Sequence, residues 1–556
     1  MNDKTVKYMN MLAAAFGAVP SAPRPTPDPK NYPLYLKENS PSSKELDRQR
    51  SDKETGGVKF SIVIDATGSD KELTGCTLVS VCAQTYPFYE IVIVSDKSSY
   101  SDLLTDQTAF VEETSLSEAD RAIEGDAVML LLAGDVLSPD ALYLIANKLN
   151  DDPREQLVYA DNDRISGAVR SRPCFKPAYS PVSEICFDYV QRPLCARKRL
   201  HELTGGFSGA ADHHEYLMKS FEEAGGAAHI PKVLLSIRDD RRYNGTPKPP
   251  KGFELIPGSF EGSLRLIPKN PVKGRTTVII PDAADAEELK TCLEWIDVLS
   301  VKRRHDIVIG LGKAPNDALK EYLDSLKKNK AAAVAELYQN GVRSIPSVLN
   351  DCASRYPADH FVFLSAAARI VSCDFIDELL CPLMLEGAAI SGGKLYDPDG
   401  LLYHSGYVIG LEGWAGSLYS GTIDDKRDEQ KCFYTSVQRN VSAVNGAFMA
   451  VSSEDFLNVG MFDESFSEVG WDIEFCLRAA RKGLTTVYTP YAEAKLIRRL
   501  KSFGEASKDD LKRCYDVMRG TLMSGDKYYS PNFDCRSRIP LTAIKPYRPI
   551  VLNPNF

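Results

Sequence analysis

The chain has 556 residues, 43% apolar and 26% charged, with a formal net charge of −9. That is the composition of a globular protein too long for one core, so two domains of ordinary size plus extensions are expected. The acidic balance gives no general case for nucleic-acid binding, and any bound phosphate needs a local basic patch.

No apolar run reaches the roughly 18 residues of a membrane-spanning helix. The thirteen cysteines are odd in number and show no C-x-x-C spacing, as in a reducing cytoplasmic protein without a disulfide framework. The early segment "KYMNMLAAAFGAVPSAP" imitates a secretory leader. Asn10 interrupts its apolar run, so it reads as a short amphipathic or docking helix, with a peripheral membrane contact as the alternative.

Residues 18–57, rich in proline and charge, read as an extended arm with a short solvated helix in "KELDRQRSDKE". Structure proper begins at the strand "KFSIVID". A helix from Lys71 to Gln84 follows, then the strand "YEIVIVSD", the helix-like "SEADRAIEG" and the strand "AVMLLLAGD". This alternation argues for a mostly parallel sheet covered on both faces, with ligands at the C-terminal strand ends.

The series then repeats. "FSIVID" is answered by "TTVIIPD", "EIVIVSDKSS" by "DIVIGLGKAP", and "VMLLLAGDVLSPDAL" by "FVFLSAAARIVSCDF". The order implies internal duplication of one α/β domain. The expected organisation is an arm over 1–57, a first domain over 58–245, a Pro- and Lys-rich linker over 246–273, a second domain over 274–520 and a tail over 521–556.

The segment "QTYPFYEIVIVSD" and the strand–helix–strand around it resemble the opening of family 2 glycosyltransferases. "LVYADNDRIS", "RPCFKPAYSP", "NVSAVNGAFMAVSSEDF" and "GDKYYSPNF" extend the resemblance over about residues 33–535. It is closest to a bacterial subgroup with two tandem transferase domains used in O-antigen and rhamnan-type polysaccharide synthesis. The resemblance implies two tandem GT-A-like, Rossmann-like domains that take nucleotide-diphosphate sugars.

Such transfer releases a diphosphate, normally clamped by a divalent metal on a D-x-D cluster after the third strand, with a histidine farther on. In the second domain those positions fall on Ser365, Ala366 and Ala367 and near Leu496, so no metal is expected there. The nucleotide-side acid falls on Gly310. The family's base motif survives in "VGWDIEFCLR" at Asp472; with the metal ligands gone it reads first as a helix cap, and the acceptor base is the alternative. His404 and Asn445 match acceptor-cleft positions or are satisfied loop residues. Trp414 stacks a sugar or packs.

In the first domain Leu132 and Gly134 stand at acid positions. Only Asp135 remains, expected as an exposed loop carboxylate and a weak Mn2+ or Mg2+ ligand. Asp96, Asp135, Asp161, Asp163 and Lys176 are assigned to the nucleotide sugar. The base motif falls on His213, His214, Glu215 and Tyr216; surface or capping roles are expected, with one of the histidines or Glu215 as acceptor base the alternative. The main reading is a transferase, using the first domain, that moves a sugar onto a glycan or protein with weak or no metal dependence. Basic residues such as those in "RSRIP" and "KRRH" would then stabilise the leaving group, and other transferases of the pathway would be partners. The alternative is a catalytically inactive pseudo-glycosyltransferase acting as scaffold or glycan-binding partner.

Overall fold

The apolar runs become strands of two sheets in the computed structural model, which describes residues 31–52, 57–95, 110–113, 115–210, 212–238, 247–300 and 303–545. Asp96 and the early apolar segment lie outside the described residues. The first sheet contains β1 Phe60–Asp65, β2 Tyr89–Val94, β3 Phe110–Glu113, β4 Ala127–Leu132, β5 Val136–Leu137, β6 Leu157–Ser166, β7 Val169–Cys174, β8 Leu194–Arg197 and β9 Ala228–Ile237. Its order is β3-β2-β1-β4-β8-β6-β9-β5, with β7 on β6. β1 pairs in parallel with β2 and β4, and β4 is buried along its whole length. A strand flanked by sheet neighbours and covered on both faces has no solvent side, which is why it reads as a continuous apolar run.

A hairpin of β10 Phe253–Pro257 and β11 Leu264–Pro268 occupies the stretch expected as a linker. The second sheet contains β12 Thr276–Ile280, β13 His305–Leu311, β14 Ala333–Glu336, β15 His360–Leu364, β16 Ala368–Ile370, β17 Ala388–Tyr396 and β18 Leu402–His404. After a small ribbon of β19 Tyr407–Ile409 and β20 Ala415–Ser417 come β21 Arg439–Val441, β22 Phe448–Ser452 and β23 Thr485–Leu496. The order is β14-β13-β12-β15-β22-β17-β23-β16, with β18 on β17 and β21 on β23.

Position for position, the two orders coincide. The duplication read from the sequence is therefore also a duplication of topology: an α/β protein with two mixed, Rossmann-like sheets, as in two tandem GT-A-like domains. Even the capping recurs. Asp70 accepts from the Leu73 amide at the start of helix Lys71–Cys82, and Asp285 accepts from the Glu288 amide at the start of helix Ala286–Leu299.

The halves share one core. Tyr32 and Tyr35 of the arm helix Asn31–Asn39 pack with Phe175, and that cluster continues through Tyr434 of the second half to Tyr529 and Phe533 of the tail. Asn440 accepts from the Ser180 hydroxyl and the Val182 amide, both at 3.1 Å, across the junction. The tail also reaches back: Asn532 donates to Asp161 at 2.8 Å. All thirteen cysteines are free thiols. Among the described residues no helix is long and apolar enough to cross a membrane.

Candidate active site in the second half

Parallel strands deliver their C-terminal ends to one side of a sheet. On that side of the second sheet lies a cavity of about 760 Å³, a size suited to a small-molecule ligand. Asp282 follows β12, Lys313 follows β13 and Ser365 follows β15, and all three line it. His404, Trp414, Asn445 and Asp472 line it too, so these four expected residues, spread over the sequence, meet in one place.

Asp472 lies in the first turn of helix Trp471–Arg481 and is nearly buried. Its carboxylate accepts from the amides of Gly446 and Ile473, each at 2.9 Å. Burial nonetheless pushes its pKa up to about 6, because two neutral donors do not replace the lost hydration. The geometry also explains Gly446: a Cβ there would sit 2.2 Å from the Trp471 ring. Asn445 donates to the Tyr407 hydroxyl at 2.6 Å, and its own amide donates to His404 Nε2 at 3.1 Å. The Gly406 amide reaches the same nitrogen at 3.2 Å. His404 Nε2 is thus an acceptor, and burial lowers the pKa of the ring to about 3, keeping it neutral. Trp414 stacks on Phe503, with centroids 5.6 Å apart and planes at 7°, and both rings line the cavity.

The resemblance read from the sequence implies a divalent ion at the end of β15, and the residues here do not fit one. Ser365, Ala366 and Ala367 carry no carboxylate. Asp282 is engaged at both oxygens: the Ala366 amide donates to Oδ1 at 2.9 Å, while the Ser365 hydroxyl and Arg498 donate to Oδ2 at 2.7 and 3.1 Å. A guanidinium so placed repels a second cation. Gly310 has a packing reason of its own, since a Cβ there would meet Val348 at 2.4 Å. The acid expected on β13 is sterically excluded.

In the first half the expected residues are scattered through buried structural contacts. Asp135 is not an exposed loop carboxylate: it is 1% exposed and takes a two-pronged ion pair from Arg192 at 2.6 and 3.1 Å. That pairing consumes the oxygens a metal would need. Lys176 does not face a phosphate; it is buried and donates to the carbonyls of Ala160 and Arg192 at 2.6 and 3.2 Å, and burial lowers its pKa. Asp161 accepts from His229, the Lys176 amide and Asn532, and Asp163 from Tyr32 and Arg170. Neither is open to a nucleotide.

The Asp212 carboxylate caps helix His213–Ala224 by accepting from the Glu215 amide, and Glu215 pairs with Lys219 at 3.0 Å. His213 and His214 are buried rather than on the surface. Among the described residues, one group of acids and histidine converges in the manner of metal ligands, Glu184, Asp188 and His214, with candidate ligand atoms within 4.8 Å of one another. Burial, reinforced by Asp188, raises the Glu184 pKa well above the carboxylate range, which favours its protonated form.

Several cavity residues carried weaker sequence signals. Asp282 ends "TTVIIPD", Lys313 lies in "GLGKAP", and Arg498 stands two residues beyond Leu496, where a histidine was sought. Arg538 of "RSRIP" also lines the cavity, paired with Glu412 at 2.6 Å. Arg303 of "KRRH" instead pairs with Asp377 at 2.7 Å, away from the cavity.

No family model matches the chain. It is 26% identical to the O-antigen biosynthesis protein RfbC of Myxococcus xanthus over 572 residues, covering 94% of this chain and 44% of that protein. It is also 26% identical over 491 residues to the uncharacterized protein y4gI of Sinorhizobium fredii, covering 79% of this chain and 53% of that one. The chain therefore spans about half the length of these relatives. Among solved structures it is similar to GalNAc-T7 with UDP, GalNAc and Mn2+, at TM-score 0.35 and 14% identity over 46% of this chain and 49% of that one. A second is the mannosyltransferase PcManGT of Pyrobaculum calidifontis with GDP-Man and Mn2+, at TM-score 0.31 and 15% identity over 42% of this chain and 61% of that one.

Proposed function

We propose that the second-half cavity binds a nucleotide-diphosphate sugar and transfers its sugar to a hydroxyl of a glycan or protein. The observation that carries this reading is Asp472, a carboxylate with a pKa of about 6 lining the same cavity as the ends of β12, β13 and β15. In the transfer, the acceptor oxygen attacks the anomeric carbon as Asp472 takes the hydroxyl proton. The bond from that carbon to the diphosphate oxygen breaks, and its electron pair leaves with the diphosphate. His404 and Asn445 hold the loop beside Asp472, and Trp414 offers a ring face to a sugar. The first half serves as a structural counterpart, its acids being committed to internal pairs.

The relation to an O-antigen biosynthesis protein supports a polysaccharide acceptor and work alongside other transferases. A second reading, a glycan-binding scaffold without turnover, is favoured by the missing carboxylates at 365–367. Incubation with a panel of nucleotide sugars, scored for release of nucleoside diphosphate with and without candidate glycans, separates the two. Release that Asp472→Asn abolishes supports transfer. Glycan binding without any release, unchanged by Asp472→Asn, supports the scaffold.

A further inference from the structure

Arg498 is held along one edge. Its Nε donates to Glu288 at 2.8 Å and its Nη2 to Asp282 at 3.1 Å, and no protein acceptor meets Nη1 among the described residues. The side chain is 41% exposed and lines the cavity. Two carboxylates thus fix the guanidinium plane while its other edge stays open, which is how a fork donor is readied for a planar or phosphate anion. Lys313, just past the end of β13, also lines the cavity and has no ion-pair partner among the described residues.

The first half repeats the placement. Val136 pairs with Ser236 as Ala368 pairs with Leu496, so Arg238 and Arg498 each stand two residues past the equivalent register position. In the first half Arg238 comes within 3.3 Å of where a Cβ on Gly134 would be, again beside the third-strand loop. Both copies thus place an arginine beside the loop that follows the third strand of the sequence series.

We infer that the second-half cavity holds the diphosphate of its donor through Arg498 and Lys313 in place of a divalent ion. The inference rests on the transferase reading and specifies its donor site. The negative charge that develops on the departing diphosphate oxygen is met by fixed cations, which need no ion to be recruited.

The test is titration calorimetry of the full chain with UDP, GDP and inorganic pyrophosphate, each in excess EDTA and in Mn2+. Binding in EDTA within about threefold of that in Mn2+ is expected, with Arg498→Gln and Lys313→Gln each weakening it about tenfold or more. Arg498→Lys should recover part of the loss, and Arg275→Gln, at the opposite end of β12, should bind as the parent does. Thermal melts of all variants establish that they fold, and Lys313, being exposed, tests the idea even where Arg498→Gln does not. Nucleotide binding that requires Mn2+, or that ignores both Gln substitutions, overturns the inference and leaves the transferase reading standing. Absence of nucleotide binding in both conditions overturns both.

Discussion

The guanidinium of Arg498 lies 3.1 Å from the carboxylate of Asp282, across 216 positions of sequence. Asp282 also gathers the Ser365 hydroxyl and the Ala366 amide, so one acid organises the loop at which the sequence resemblance would put metal ligands. The loop "SAAARI" is not empty of order. Its order comes from a carboxylate just past the end of β12, the parallel neighbour of β15.

Asp472 sets a pH dependence. Its folded pKa of about 6 lies above the ordinary 3.8, so the folded chain holds this proton more tightly than the unfolded chain. The stability this group contributes is complete below about pH 4 and is lost as pH rises through about 6, to an extent of roughly 3 kcal/mol at most. Asp472→Asn is expected to raise the melting temperature at pH 8 and to change it little at pH 4. Transfer by the parent should rise with a midpoint near pH 6 and fall about 10²–10⁴-fold in the variant. An identical pH–stability profile for parent and variant would count against the buried-carboxylate account.

Gly446→Ala tests the packing behind that carboxylate. The added methyl would meet the Trp471 ring at 2.2 Å, and the ring is bounded by Phe462 at 4.8 Å. Strain of about 1–3 kcal/mol is expected, with the neighbouring Asp472 displaced from the Gly446 amide. The measurable result is a lower denaturant midpoint together with a shift in the pH midpoint of transfer. A variant as stable as the parent with an unmoved pH profile would refute this.

Asp135→Ala should act on stability. Arg192 is 4% exposed and would stay buried while losing its two-pronged carboxylate partner, at a cost of about 3–5 kcal/mol. Chemical denaturation of Asp135→Ala, Arg192→Met and the double variant gives the coupling. The double variant is expected to recover most of the loss, and full additivity of the single losses would exclude the pairing.

Asn532→Ala probes the join between tail and first half. It removes one of three donors to the fully buried Asp161, for an expected loss of about 1–3 kcal/mol. Amide exchange should quicken in β6, to which Asp161 belongs, as well as in the tail. Faster exchange confined to the tail would show that the two are not coupled.

The architecture was legible because central parallel strands leave no polar face: "FSIVID", "VMLLLA" and "FVFL" announce themselves as buried strands, and their repetition announces the duplication. Asp472, His404, Asn445 and Trp414 were legible as motif positions. What the sequence did not display was which carboxylates are spent. The partner of Asp135 is 57 positions away, and Gly310 lacks an acid because a helix 38 residues later presses Val348 against it. Pairings and steric exclusions of this kind are tertiary facts, and a motif read alone assigns the same letter to a free ligand and to a buried strut. That is why the first half looked better equipped than the second.

The bond from Asn532 to Asp161 has a bearing on how the chain comes into being. Asp161 leaves the ribosome 371 residues before the side chain that supplies its third donor. While the second half is still being made, the first half must carry a buried carboxylate two-thirds satisfied and an aromatic surface at Phe175 not yet covered by Phe533. Domains generally fold as they emerge. Here the earlier one waits on the later, so nascent chains stalled before residue 532 should be the ones that chaperones hold longest.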